Sequence, residues 1–269
     1  MGFLHLDKWT PAFAGVTTAI VGPTLPKQRL DQLLVERGLA ESRTKAQALI
    51  MAGLVFTGER RLDTAGAQIP DDTVVTVRGQ EHPWVSRGGM KLAHGLEHFG
   101  FAATDRIALD VGASTGGFTD VLLTNGAAKV YAVDVGYGQF AHKLRIDPRV
   151  VVLERTNARH LTAADVPDPI GAVVCDASFI GLRTVLPAGM ALTVAGAWMI
   201  ALIKPQFEVG RENVGKKGVV RDPAQHAWVC EEISAWLGAQ PGWQVRGIAQ
   251  SPITGPEGNI EFLIGAERV

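Results

Sequence analysis

The sequence predicts an α/β protein in which a small α+β unit precedes a doubly wound, mostly parallel sheet. Three observations carry this. From residue 107 onward, apolar runs of strand length alternate with helical stretches. A glycine-rich turn, 112–118, follows the first of these runs at once. Ahead of them, residues 27–81 hold two segments of helical period and two short strand runs.

Bulk composition bounds the rest. A chain of 269 residues suits one large or two modest domains. At 46% hydrophobic it supports a substantial core and is too apolar for a mostly disordered chain. Its 31 glycines and 14 prolines, without a triplet period, exclude collagen and fit a loop-rich α/β protein. With 26 basic and 27 acidic residues, net charge alone offers no sign of a nucleic-acid partner. Two cysteines, Cys175 and Cys230, form neither a disulfide framework nor a CxxC zinc site. No metal is expected, and a reducing, cytoplasmic setting is the default.

Residues 1–26 are apolar and broken by Pro11, Pro23 and Pro26, and Asp7 and Lys8 cancel. The basic start of a signal peptide is missing, so the stretch reads as a disordered extension. A start codon assigned too far upstream is the alternative. Organised sequence begins at Lys27. Leu30, Leu33 and Leu34 form one helical face, with Gly38 as its stop. Ser42 is a good N-cap for a second helix, with Ala46, Leu49 and Ile50 inward and Gly53 at its end. Short strands are expected at 55–56 and 74–77.

Charge is more informative locally. Residues 27–91 carry ten basic against eight acidic residues, whereas 92–269 carry 15 against 18. Arg29, Arg43 and Lys45 sit at helix beginnings, where side chains and free N–H groups can face phosphate. The stretch RLDQLLVERGLAESRTKAQALIMAGLVFTGE, 29–59, resembles the S4 RNA-binding domain. That resemblance implies structured RNA as partner, with Arg29, Arg43 and Lys45 on the RNA-facing helix pair, and leaves the reaction open. RRLDTAG at 60–66 is similar to the catalytic motif of pseudouridine synthases, but Asp63 lies inside the small domain, without a synthase body around it. The expected division is therefore an S4 domain at 27–81, a linker at 82–86 around His82, Pro83, Trp84 and Val85, and a catalytic domain at 87–269.

In the large domain, strands are expected at 107–111, 130–133, 150–153, 172–175, 197–203, 243–249 and 260–265. The uncharged run 184–203 is long enough to raise a membrane question. It contains Pro187, Gly189 and Gly196, and splits near Gly196 into a helix and a buried strand. No membrane insertion is expected.

The turn after the first strand permits close backbone approach to a ligand, and Asp134 at the end of the second strand can accept hydrogen bonds from ribose hydroxyls. Both features fit NAD as well as S-adenosylmethionine. The spacing, Gly112, Ala113, Ser114, Thr115, Gly116, Gly117, departs from G-x-G-x-x-G. That departure weakens a pyrophosphate site and favours a methyltransferase.

Four polar residues stand where a core makes them awkward: Lys91 on a helix, Asp176 and Lys204 directly after apolar strands, and Glu261 within GNIEFLIG. They could converge at one sheet edge. A ribose 2′-hydroxyl needs such a group, because it is a poor nucleophile until deprotonated. A lysine serves as base only when neutral, a form that partial burial and a second amine favour. Lys204 is assigned as base, Lys91 as its positive neighbour and oxygen-positioner, and Asp176 and Glu261 as orienters, while the sequence leaves open which lysine takes the proton.

This Lys-Asp-Lys-Glu order is similar to the tetrad of FtsJ-type ribose 2′-O-methyltransferases. WVSRGGMKL, LDVGASTGGFTDVLL, AVDVGYGQ, LERTNARHL, CDASFI, LIKPQFEVGRENVGKKGVVRDP and GPEGNIEF together resemble the TlyA family over residues 27–267. The resemblance implies an S4 domain joined to a Rossmann-like class I methyltransferase that acts on cytidine 2′-hydroxyls of 16S and/or 23S rRNA in ribosomal subunits. It implies S-adenosylmethionine as cofactor, held by Gly112, Ser114, Gly116, Phe118, Asp134, Asn157 and Asp176. Arg87, Lys216 and Lys217 are expected as further RNA contacts, although the basic loop at 210–222 that carries the last two reads equally well as a solvated loop. Two other readings stay open: a membrane-active haemolysin, and an RNA-binding protein with an inactive methyltransferase domain.

Overall fold

A computed structural model describes residues 26–37, 39–40, 42–78, 82–255 and 258–269, with the side chains of Arg211 and Lys216 excepted. The expected N-terminal extension, the helix stop at Gly38 and the side chain of Lys216 lie outside the described residues. The chain divides into two units, 1–81 and 82–269.

In the first unit, strand β1 (Lys27–Arg29) leads straight into helix α1 (Leu30–Glu36), and helix α2 spans Arg43–Met51. Ser42 caps α2 by accepting the Lys45 N–H, which satisfies one of the donors a helix start leaves open. Strands β2 (Val55–Thr57), β3 (Arg60–Arg61), β4 (Gln68–Pro70) and β5 (Thr76–Val77) follow. They form a three-stranded sheet, β3-β2-β5, and a two-stranded ribbon, β1-β4. Leu30, Leu33, Leu34, Ala46, Ile50, Val55, Ile69 and Val75 make the core. The strand expected at 74–77 is shorter than its apolar pattern suggests. Val74 is 72% exposed, and only Thr76 and Val77 pair with β2.

The second unit begins on helix α3 (Gly88–Phe99) and continues as β6 (Ile107–Val111), α4 (Gly117–Thr124), β7 (Lys129–Val133), α5 (His142–Arg145) and β8 (Val150–Leu153). Then come β9 (Ile170–Cys175), α6 (Leu182–Ala191), β10 (Thr193–Ile203), α7 (Pro223–Gly238), β11 (Trp243–Gln250) and β12 (Phe262–Arg268). The sheet order is β11-β12-β10-β9-β6-β7-β8, with β12 alone antiparallel to both its neighbours. Alternate residues bury on opposite faces: Ala108 packs toward α3 and α4, Leu109 and Val111 toward α6 and α7.

Two boundaries differ from the sequence expectation. The joint in the apolar run falls at Leu192, not near Gly196, so α6 and β10 divide it, and residues 197–203 are wholly buried in the sheet. Gly196, with φ +76°, instead marks the irregularity between Thr193 and Trp198 in the β9–β10 pairing. Among the described residues no helix is long and apolar enough to cross a membrane. At the other end, β12 starts at Phe262, so Ile260 and Glu261 precede the strand. The Ser251 N–H still donates to the Glu261 carbonyl at 2.9 Å, so the ladder frays there.

Candidate active site

Strand direction assembles the site. Chain order reverses between β6 and β9, and ligands of open α/β sheets bind beyond the carboxyl ends of strands at such a point. Cys175 pairs with both Val111 and Ala201, so β6, β9 and β10 end side by side. Because β12 runs the other way, Ile203 faces Phe262, and Lys204 and Glu261 leave the sheet at the same edge. Helix α3 adds Lys91 from above. Its Gly95 lets the helix approach β10, since a Cβ there would lie 3.2 Å from Ile200.

All four side chains meet at a cavity of about 770 Å³. Lys91 Nζ donates to Glu261 Oε2 at 2.6 Å and stands 3.5 Å from Asp176 Oδ2. Lys204 Nζ lies 2.6 Å from Asp176 Oδ1 and donates to the Asp176 carbonyl (3.0 Å) and Ser178 Oγ (2.8 Å). One carboxylate thus sits between two amines. Lys91, Lys204 and Glu261 are buried and Asp176 is partly open. Glu208 ties the turn after Lys204 to the next loop by accepting the Leu182 N–H at 2.7 Å, and burial pushes its carboxyl up. Burial likewise pushes the Cys175 thiol up to about 12, which makes it packing rather than a nucleophile.

The glycine turn forms the facing wall, with Gly112, Ser114 and Phe118 lining the cavity. Gly112 has φ +82°, and a Cβ there would meet the Ala177 backbone at 2.8 Å, so only glycine fits. Asp134 accepts the Ser114 N–H (2.7 Å) and the Gly136 N–H (2.6 Å), which fixes the turn from the neighbouring strand. Gly116, Asp134 and Asn157 are not part of the cavity wall. Gly116 is the N-cap of α4, and Asn157 Oδ1 caps the turn that follows it by accepting the Arg159 N–H at 3.1 Å. Arg87 and Lys217 do reach the wall, and the Arg87 guanidinium donates to the Thr254 carbonyl. Arg29, Arg43 and Lys45 belong to the first unit. There Arg29 and Arg43 both bind Asp31.

Two features escaped sequence reasoning. Phe179, 89% exposed with φ +65°, projects at the cavity with its ring 5.3 Å from that of Phe207. Its only signal is an aromatic residue in the loop after Asp176. Asp110 is fully buried and accepts Thr119 Oγ1 at 2.6 Å, while its Oδ1 has no partner among the described residues. Burial pushes its carboxyl up to about 7.

A seven-stranded sheet with one reversed strand, a glycine cradle and a lysine–carboxylate cluster at the switch point define a Rossmann-like methyltransferase. Comparison with known proteins makes this particular. The family model for FtsJ-like methyltransferase matches residues 84–268, and that for the S4 domain matches 28–75. A Mycobacterium tuberculosis protein named 16S/23S rRNA (cytidine-2′-O)-methyltransferase TlyA is 48% identical, with 88% of this chain and 89% of that protein covered. Hemolysin A of Brachyspira hyodysenteriae is 39% identical, covering 87% of this chain and 98% of that protein. A hemolysin-type structure from Streptococcus thermophilus superposes with a TM-score of 0.71 at 43% identity, covering 91% of this chain and 90% of that one. The chain belongs to the FtsJ-like methyltransferase family, carries an S4 domain ahead of it, and is related to TlyA and hemolysin A.

Proposed function

We propose that this protein methylates cytidine 2′-hydroxyls of 16S and/or 23S rRNA, with S-adenosylmethionine as methyl donor, in the cytoplasm. The observation that carries the reading is the Asp176 carboxylate held between Lys204 and Lys91 beside the glycine cradle. The relatives named for rRNA methylation support the substrate class.

The residues present suit the cofactor. Gly112, Ala113, Ser114, Thr115 and Phe118 form one wall of the cavity of about 770 Å³ that ends on Asp176, a space of the size small-molecule sites use. Gly112, Ser114, Phe118 and Asp176, which line the cavity, would hold it, with Gly116 and Asp134 shaping the turn behind them. When bound, it supplies a methyl group on a positively charged sulfur.

The chain's own task is to make a ribose hydroxyl nucleophilic. In its neutral form, after losing one proton to solvent, Lys204 takes the 2′-hydroxyl proton, its amine held in place by Asp176 and Ser178 Oγ. Lys91, fixed by Glu261, presents positive charge to the oxygen as it loses that proton. Phe179 offers an exposed ring on which an unpaired base can stack. Arg29, Arg43 and Lys45 contact RNA phosphate, Arg87 and Lys217 do so near the cavity, and Lys216 is a further phosphate contact.

The test is methyl transfer from labelled cofactor to purified ribosomal subunits, followed by mapping of 2′-O-methyl sites. Label on cytidine riboses is the expected result. Label on bases, or none with either subunit, overturns the reading.

A further inference from the structure

Asp31 has no solvent exposure, yet it sits beneath two half-exposed guanidiniums in the first unit. Arg29 grips it with two bonds, Nε to Oδ1 at 3.0 Å and Nη2 to Oδ2 at 2.9 Å. Arg43 reaches it from α2 through Nε alone, and Gln47, one turn further on, donates to the same Oδ2, both at 2.9 Å. The bonds from Arg29, then Gln47 and Arg43, hold the Asp31 carboxyl well below the usual carboxylate range, so it stays charged.

This cluster is not a neutral ion pair. Two guanidiniums share one carboxylate and leave a net charge of +1. Their side chains are 36% and 52% exposed, and both terminal nitrogens of Arg43 and Nη1 of Arg29 have no hydrogen-bond partner among the described residues. Backbone makes room for this on the far side: a Cβ on Gly66 would stand 3.1 Å from Arg29 Nη1. Without the carboxylate, two adjacent guanidiniums would repel and sample many rotamers. With it, both are aimed before any ligand arrives, so side-chain ordering occurs at folding and not at docking.

We propose that Asp31 is a positioning residue for RNA docking, presetting Arg29 and Arg43 as a paired clamp for backbone phosphate. This rests on the reading above that these two arginines contact RNA. The consequence is counter-intuitive in sign. Asp31→Asn removes a negative charge and makes the RNA-binding face more positive. Long-range electrostatics alone would then tighten RNA binding. Loss of the preset geometry weakens it.

The experiment measures binding of the full chain to purified ribosomal subunits between about 50 and 200 mM salt. Thermal melting is followed in parallel. Arg29→Ala and Arg43→Ala come first, and each is expected to weaken binding and flatten the salt slope by about 1. If neither changes binding, the RNA-contact reading fails and the clamp with it. If both do, Asp31→Asn decides. Binding weakened about tenfold, the equivalent of one lost charged hydrogen bond, with melting preserved, supports the clamp. Unchanged or tighter binding overturns it while leaving the arginine contacts standing. Should Asp31→Asn lose the fold of the first unit, Gly66→Leu replaces it, since a Cβ there would already stand 3.1 Å from Arg29 Nη1 and a longer side chain pushes the guanidinium aside at constant charge. Weaker binding then supports the proposal, and wild-type binding overturns it.

Discussion

Lys91 and Glu261, separated by 170 residues in sequence, form a 2.6 Å ion pair from which water is almost wholly excluded. Removing Lys91 leaves the Glu261 charge buried without its partner, whereas removing Glu261 leaves Lys91 with Asp176 at 3.5 Å. Lys91→Met alone is expected to cost about 3–5 kcal/mol of stability, and Glu261→Leu alone less. The double variant Lys91→Met/Glu261→Leu should recover most of that while remaining inactive. Urea unfolding of the three variants, analysed as a double-mutant cycle, provides the check.

Lys204 is paired but not structural in the same way, because its partner Asp176 keeps a second amine nearby. Lys204→Ala should lower methyl transfer by about 10²–10⁴-fold, the usual range for a lost proton acceptor, with cofactor affinity by calorimetry little changed. Lys204→Arg should not rescue, since a guanidinium does not give up its proton in proteins. Substantial transfer by either variant assigns the proton to another group.

Phe179 buries almost none of its surface, so its loss should leave melting unaltered. Phe179→Ala is expected to weaken RNA engagement by about 1–3 kcal/mol, the worth of one base–aromatic stack. The effect should fall on KM for the subunit rather than on cofactor affinity. Steady-state kinetics with Phe179→Leu and Phe179→Tyr alongside would separate stacking from bulk, with tyrosine active and leucine impaired.

Asp110 carries a pH signature. Its carboxyl is raised by burial from an ordinary 3.8 to about 7, so the folded chain holds that proton more tightly than the unfolded one. Its stabilising contribution is therefore complete below about pH 4 and is lost as pH rises through 7. Asp110→Asn should change melting little at pH 4.5 and raise it at pH 8, by roughly 2–4 °C for each kcal/mol recovered. A variant that melts lower than the parent at pH 8 would show that the ionised carboxylate is stabilised by something else.

Much of this architecture is legible in sequence because buried parallel strands leave continuous apolar runs. Residues 170–175 and 197–203 are such runs, and polar residues at their ends, Asp176 and Lys204, stand out against them. Strands of two or three residues, such as Arg60–Arg61 and Gln68–Pro70, leave no period to detect. Gly196 misplaces a boundary because glycine marks a bulge as readily as a helix stop. The exposed ring of Phe179 and the buried charge of Asp31 are set by tertiary surroundings. In local sequence Phe179 looks like core and Asp31 like surface. Asn157 shows the converse, since a motif position turns out to cap a turn away from the cavity wall.

The reversal of β12 gives the two halves of the site different folding histories. The glycine turn of the cofactor cradle draws on consecutive elements, β6, α4 and Asp134 directly after β7, and needs few long loop closures to form. The lysine–carboxylate cluster needs α3, β9, β10 and the start of β12 in register together. Non-local pairings of that kind are the slowest to assemble. Any partial opening at the β10–β12 seam would therefore abolish methyl transfer while leaving a cradle able to bind its small molecule, so catalytic competence reports on completion of the whole sheet and cofactor binding does not.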